Sequence, residues 1–328
     1  MEGQAVILSF LTLVGCPLLA GQRPWGVHNP SLGIYVNTAE LILQERTYSA
    51  VKRCIYCGSE TYAEGSLGRL GDEHIIPEGL GGRLILKEAS CKECEVITSR
   101  TELEWLRSSF YAARVQKGFG KNKKRVPTTL PLNITVNGAV VTKAVPLKKY
   151  PALVVTLLFD SPEVLNGHEP VEKVLTGGVA CGMLPTFGEL MKEHLAVGAV
   201  TIEPPRKSAT SIQLGRMLAK IAHSYAVAEL GIDGFDAVLT AIILGTDTRH
   251  LSYYIGGSRD IPPSISLSYR LSLSTVFSTT GQAFYEVEIR LLSDIQGMPL
   301  YRVIVGTVRN VEQSIPADVP AASRLLGG

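Results

Sequence analysis

The chain has little net charge, few cysteines and no apolar run long enough to be read as a membrane span. Formal charge is +2 over 328 residues, so the protein as a whole is not a polycation. Six cysteines give no obvious disulfide framework, which fits a reducing compartment and points to a cytoplasmic location. Residues 5–20 (AVILSFLTLVGCPLLA) are apolar but too short to span a bilayer, and no membrane association is expected. They also lack the positive flank of a secretory leader, because Glu2 precedes them and no Lys or Arg does. Leu13-Val14-Gly15-Cys16 nevertheless resembles a lipoprotein cleavage box, so an exported lipoprotein is one reading. A buried element and an extension from a misassigned start are the others. No internal repeat is visible, and residues 128–328 carry no recognisable catalytic motif.

What is present is enough for folding. With 45% hydrophobic and 19% charged residues, the chain can bury sizeable cores and is not disordered by composition. The length suggests about two domains.

The informative stretch runs from Cys54 to Glu102. Two CxxC pairs, Cys54/Cys57 and Cys91/Cys94, can supply four thiolates to one tetrahedral Zn²⁺. Four protein ligands close such a site, so it is structural and the chemistry must lie elsewhere. Glu73-His74, between the pairs, is the place to look.

Around these residues, Leu70 to Ile76 and Arg83 to Leu86 read as short strands joined through the turn Gly79–Gly82. Ser90 and Glu93 have capping-box spacing and open a helix. Val96, Leu103, Leu106 and Phe110 recur at helical spacing and are expected to face inward. Arg100, Arg107 and Arg114, two turns apart, form a second row along that helix.

Charge is uneven. Residues 100–125 hold Arg100, Arg107, Arg114, Lys117, Lys121, Lys123, Lys124 and Arg125 against Glu102 and Glu104, a net of +6, so the remainder carries −4. Such a stripe is the footprint of nucleic-acid phosphate contact. A solvated helix face and basic loop would look the same.

Taken together, Cys54/Cys57, Asp72-Glu73-His74-Ile75-Ile76-Pro77, Leu80-Gly81-Gly82 and Cys91/Cys94 resemble the HNH (His-Asn-His) endonucleases, specifically the HNH endonuclease 5 type. The resemblance covers residues 54–115, about a fifth of the chain. It implies a ββα-metal fold, hydrolysis of DNA phosphodiesters with RNA as a second possible partner, His74 as general base and Glu73 as ligand of Mg²⁺ or another divalent cation. The family usually carries Asn after the last cysteine, where this chain has Glu95. A carboxylate is still a good ligand for a hard cation. Glu102 stands where the family often has a later acid, so Glu95 and Glu102 are both candidates to complete the site. A neutral imidazole, with a pKa near ~6.5, is available to take a proton from water.

Elsewhere, residues 21–33, with His28, read as a turn-rich linker, and 34–44 as one short element. Asn137-Gly138 between residues 130–136 and 139–145 predicts a hairpin, and 152–159 a buried strand. A long helix is expected over 209–230, with Leu214, Leu218, Ile221, Tyr225 and Ala228 on its apolar face and Gly231 after it. His223 in this helix reads as a packing or surface residue. Period-two alternation over 266–273 and 286–291, followed by 300–306, predicts an antiparallel meander with one wet face.

The expected architecture is therefore α+β. An apolar segment and linker occupy 1–45, and an HNH-like zinc module with a basic helix and loop occupies 46–125. A larger mixed domain, with antiparallel sheet and one long helix, fills 126–316, and a tail follows over 317–328. Two functions compete with the lipoprotein reading. One is a metal-dependent endonuclease. The other is a zinc-stabilised nucleic-acid-binding protein whose nuclease site has decayed.

Overall fold

The computed structural model describes residues 45–63, 68–119, 127–136, 139–172, 175, 177–184 and 210–309. The apolar run, Cys16, His28, the element expected over 34–44, Asn137-Gly138 and the tail lie outside them. So do Lys121, Lys123, Lys124 and Arg125. Among the described residues, no helix is long and apolar enough to cross a membrane.

The fold is α+β. It opens with β1 (Arg46–Tyr48), β2 (Gly71–His74) and β3 (Leu84–Ser90), a three-stranded sheet with β3 in the centre. β1 runs parallel to β3, and β2 is antiparallel to it. The connection from β2 to β3 is a 3-10 turn, Glu78–Leu80. Gly81 closes it at φ 80°, a left-handed conformation that costs glycine little. A Cβ at Gly82 would lie 2.1 Å from the Ile76 carbonyl oxygen, so that position tolerates no side chain.

Two helices follow, α1 (Lys92–Leu106) and α2 (Tyr111–Gln116). The expected capping box is not made. Ser90 ends β3 and its hydroxyl donates to the Cys91 carbonyl, while Cys91 takes the N-cap position with no side-chain cap. The inward face also differs from expectation. Cys94, Thr98, Thr101 and Trp105 are buried, whereas Val96 is 51% and Leu103 37% exposed. Cys94 must face the other cysteines, and that fixes the rotation of the helix. Thr98 and Thr101 can then be buried because their hydroxyls donate to the Cys94 and Ile97 carbonyls. Leu106 and Phe110 are buried as expected.

Two hairpins come next, β4 (Thr129–Val136) with β5 (Ala139–Pro146), and β6 (Leu153–Phe159) with β7 (Gly177–Met183). Val136 pairs with Ala139, which is the register of a two-residue connection.

The long helix is α3 (Ser211–Leu230). Thr210 and Gln213 form a true capping box, and Gly231 follows at the C-terminus. From Leu214 to Val227 nearly every side chain is buried, with Arg216 an exception, so this helix is enclosed on all sides. β8 (Asp236–Ala237), α4 (Thr240–Leu244), α5 (Leu251–Tyr254) and β9 (Ile255–Gly257) lead into the meander β10 (Tyr269–Phe277), β11 (Ala283–Leu291) and β12 (Tyr301–Thr307).

In β10, Tyr269, Leu271 and Leu273 face inward, as the alternation requires. In β11 the polar face is not wet. Glu286 is buried against Arg302, 2.9 Å away, and Arg290 is buried and donates to the Pro262 and Pro263 carbonyls. The neighbouring strand β12 and the 262–263 segment supply the partners that water was expected to supply.

A single apolar cluster joins Leu70, Ile75, Ile76, Leu86 and Trp105 to Leu214, Leu218, Ile221, Val287 and Val303. The Cys54–Glu102 stretch is therefore built against α3.

Candidate functional site

Cys54 and Cys57 sit on a tight turn in which the Gly58 amide donates to the Cys54 carbonyl, with Gly58 at φ 80°. Cys91 caps α1 and Cys94 lies in its first turn. The four sulfurs all lie within 4.8 Å of one another, and Cys57 and Cys91 are 3.6 Å apart. Tetrahedral zinc with bonds near ~2.3 Å requires sulfurs about 3.8 Å apart, so the cluster fits zinc. A hydrogen bond from Cys94 pulls the Cys54 thiol down to about 4, and the reciprocal interaction pushes Cys94 well up.

Glu73 and His74 sit at the end of β2 and face opposite ways. Glu73 is 5% exposed, and His74 is half-buried. The Glu73 carboxylate meets a residue that the sequence did not single out. Lys220 of α3, itself 2% exposed, brings Nζ to 2.6 Å from Glu73 Oε1 and 2.8 Å from Glu102 Oε1. The same ammonium donates to the His74 carbonyl and lies 3.4 Å from the Ile75 carbonyl. Burial alone would discharge Lys220, but Glu102 and then Glu73 more than offset it and raise its pKa. Burial raises the Glu102 carboxyl further than Lys220 pulls it down. Tyr56 borders the cluster. Its hydroxyl lies 3.0 Å from Ser224 Oγ, and burial, then Glu73, raises its pKa.

The sequence held one signal for Lys220, a lone charge inside Met217-Leu218-Ala219-Lys220-Ile221-Ala222. A charge on a helix with no wet face needs a buried partner. His223, one position in from Ser224, is also buried, and its Nε2 lies 2.8 Å from the Ile55 carbonyl.

The remaining acids are spread out. Glu95 is exposed and accepts from the Tyr62 hydroxyl at 2.9 Å. Glu102 lies two turns along α1 on Lys220. Asp72 pairs with Lys87 at 2.6 Å and accepts from the Glu88 amide, which steadies Glu88 at φ 48°. Among the described residues, the four cysteines are the one group of three or more such ligands that converges.

The donor chemistry of Glu73 and Glu102 nevertheless suits a hard cation, and the pair already clasps an ammonium. A divalent ion there would stand where Lys220 Nζ stands.

The basic row is divided. Arg100 and Arg107 are exposed. α1 ends at Leu106, so Arg114 belongs to α2, and it turns back to donate to the Leu106 carbonyl. Lys117 is ion-paired to Asp294. A cavity of about 700 Å³ lies elsewhere, lined by Phe159, Asp160, His168, Ser252 and Arg259 among others, and shares no residue with these clusters.

Residues 54–106 match the family model described as HNH endonuclease. That segment spans both cysteine pairs, Glu73-His74, Glu95 and Glu102. No curated protein and no solved structure matches the chain.

Proposed function

We propose that this chain is a nuclease that hydrolyses DNA phosphodiesters at its HNH segment, with His74 as general base. The observation that supports this best is the family match over residues 54–106, laid on a strand, strand, helix arrangement beside four convergent cysteines.

The four cysteines hold zinc and join the β1–Cys57 turn to the start of α1. That fixes β2 and β3 against the helix. Glu73 and Glu102 would hold a divalent cation once Lys220 is withdrawn from them, and the chemistry of that ion is to neutralise charge at the phosphorus. His74 lies on the opposite side of β2 from Glu73, half-buried, where its imidazole takes a proton from an attacking water. Lys220 steadies this strand end by donating to the His74 carbonyl. Arg100 and Arg107 meet the phosphate backbone.

A second reading has a specific observation behind it. Each acid of the proposed site already has a partner: Glu73 and Glu102 hold Lys220, and Glu95 holds Tyr62. This favours a zinc-stabilised nucleic-acid-binding module without hydrolysis.

The two readings part on one experiment. Zinc-loaded chain is mixed with plasmid DNA, and separately with single-stranded RNA, in Mg²⁺ or Mn²⁺. The nuclease reading expects cleavage that His74→Ala abolishes. DNA binding with no cleavage under either ion moves the assignment to the binding module.

A further inference from the structure

We infer that Lys220 is a tethered cation that occupies the Glu73–Glu102 pair, so that α3 governs whether a divalent ion can enter. The inference rests on the HNH reading only in regarding these carboxylates as the place for such an ion.

The geometry carries the argument. Lys220 Nζ is within 2.8 Å of an oxygen from each carboxylate, and it also faces two backbone carbonyls, those of His74 and Ile75. Four oxygens converge on one nitrogen. This is an oxygen cage of the kind a hard cation takes, filled from within the chain. Two carboxylates this close to one point repel unless a positive charge lies between them. One ammonium compensates one of the two; burial first, and then the nearby Glu73, raises the Glu102 carboxyl against the pull of Lys220.

The lysine is not a loose surface group that happens to reach inward. It stands on the most enclosed helix of the described chain, one turn from Ser224, which Tyr56 contacts, and beside Met217, Leu218 and Ile221, all fully buried. α3 is pinned further along by Glu229, which accepts from Tyr48 at 2.5 Å, and Asp233 beyond it pairs with Arg53 at 2.7 Å. These contacts all cross between the segment before Gly58 and the region after Ser211. The ammonium therefore leaves the cage only if its side chain swings into the core or α3 shifts along the module. A divalent ion must compete with a charge that is held at high effective concentration by the fold. Its apparent affinity is lowered by the fraction of molecules in which the cage stands open.

The test is Mn²⁺ binding to the zinc-loaded full chain, followed by electron paramagnetic resonance of the free ion. Activity is not the readout. Lys220→Met keeps the length and apolarity of the side chain and removes the charge. It is expected to bind one Mn²⁺ at least about tenfold tighter than wild type, and the gain should vanish when Glu73→Gln is added. In the wild-type background, Glu73→Gln should leave Mn²⁺ uptake unchanged, because the lysine already excludes the ion. This second comparison holds even where Lys220→Met does not fold. Wild-type chain with a Mn²⁺ site that Glu73→Gln weakens tenfold or more overturns the inference. So does a folded Lys220→Met chain that gains no Mn²⁺. Failure of the nuclease reading shows separately, as absence of cleavage by a Lys220→Met chain that has bound Mn²⁺.

Discussion

The four cysteines and the Glu73–Lys220–Glu102 cluster flank the same strand and helix, yet they are assembled in opposite ways. Each cysteine pair is presented by a local turn or a helix start, and all four lie between residues 54 and 94. The ion triplet takes its cation from a helix 146 residues beyond His74 in the chain. The first is specified by spacing, the second by docking. Their energetics differ accordingly. Zinc brings its own binding free energy to a local fold. A buried ion triplet must offset the desolvation of three charges, so it contributes more to specifying one arrangement than to stability.

Removing zinc is the most severe way to break the first cluster. Structural zinc contributes about 10–16 kcal/mol of apparent binding free energy in small modules. Cys94→Ser, or chelation of wild type, should therefore unfold the segment around α1. Because one apolar core joins that segment to α3, near-ultraviolet circular dichroism should report loss of packing beyond the module. Zinc-free protein with an unchanged melting curve would show that the four thiols do not fasten the module.

Breaking the second cluster should cost less and be reparable. Lys220→Ala leaves two buried carboxylates without their counter-ion, and such losses typically cost about 3–5 kcal/mol. Adding Glu73→Gln and Glu102→Gln removes the stranded charge and should recover most of that. Denaturant midpoints would measure both. A loss below about 1 kcal/mol, the scale of an exposed pair, would mean the triplet is open to water in solution.

His74 sharpens the comparison because it follows Glu73 on β2 and faces the opposite way, half-buried. His74→Ala should keep zinc and the melting temperature. Under the nuclease reading it should lose about 10²–10⁴-fold in rate. A rate unchanged within a few-fold would remove His74 from the base role.

The same contrast explains what could be read in the sequence. The convergence of the four cysteines and the two strands follow from local spacing, and so do α3, the β4–β5 hairpin and the β10–β12 meander. The burial of α1 did not follow. Val96 and Leu103 look like core residues, but Cys94 sets the helix rotation and turns Thr98 and Thr101 inward. Nor could the buried face of β11 be foreseen, since Glu286 finds Arg302 on the next strand and Arg290 finds carbonyls of the 262–263 segment. Lys220 was visible as an anomaly, but its partners lie far back in the chain, and period and spacing carry no information at that range. Alternation predicts which face is shared, and only packing decides what covers it.

His223 gives a smaller effect, on pH. Burial lowers its pKa below the usual value, against an opposing contribution from the Ile55 carbonyl. The unfolded chain then binds the proton more readily than the folded one. Stability is complete above about pH 6.5, the unfolded value, and falls as pH drops through that value toward the lowered folded pKa. His223→Gln should flatten this acid slope. Unfolding midpoints between about pH 7 and 5.5, with zinc content checked at each pH, would test it. A slope that persists in the variant would assign the acid sensitivity to the thiolates instead.

The smallest expected effect concerns the exposed charges, which neither fastener restrains. Arg100 and Arg107 are two turns apart on α1 and open to solvent, whereas Arg114 and Lys117 are engaged within the fold. A phosphate contact releases condensed counterions and contributes about 0.9 to the slope of log affinity against log salt on duplex DNA. Replacing Arg100 and Arg107 with Gln should therefore reduce that slope by about 1.8, whatever the DNA sequence, with no change in melting temperature. Arg114→Gln and Lys117→Gln should do the reverse, lowering stability while leaving the slope nearly intact. If all four variants leave the slope unchanged, this part of the basic stripe is a solvated face. If Arg114 and Lys117 move it as much as Arg100 and Arg107 do, their internal partners are released on binding. The module would then open on contact with nucleic acid, and the Lys220 cluster would be the next place to look for the same release.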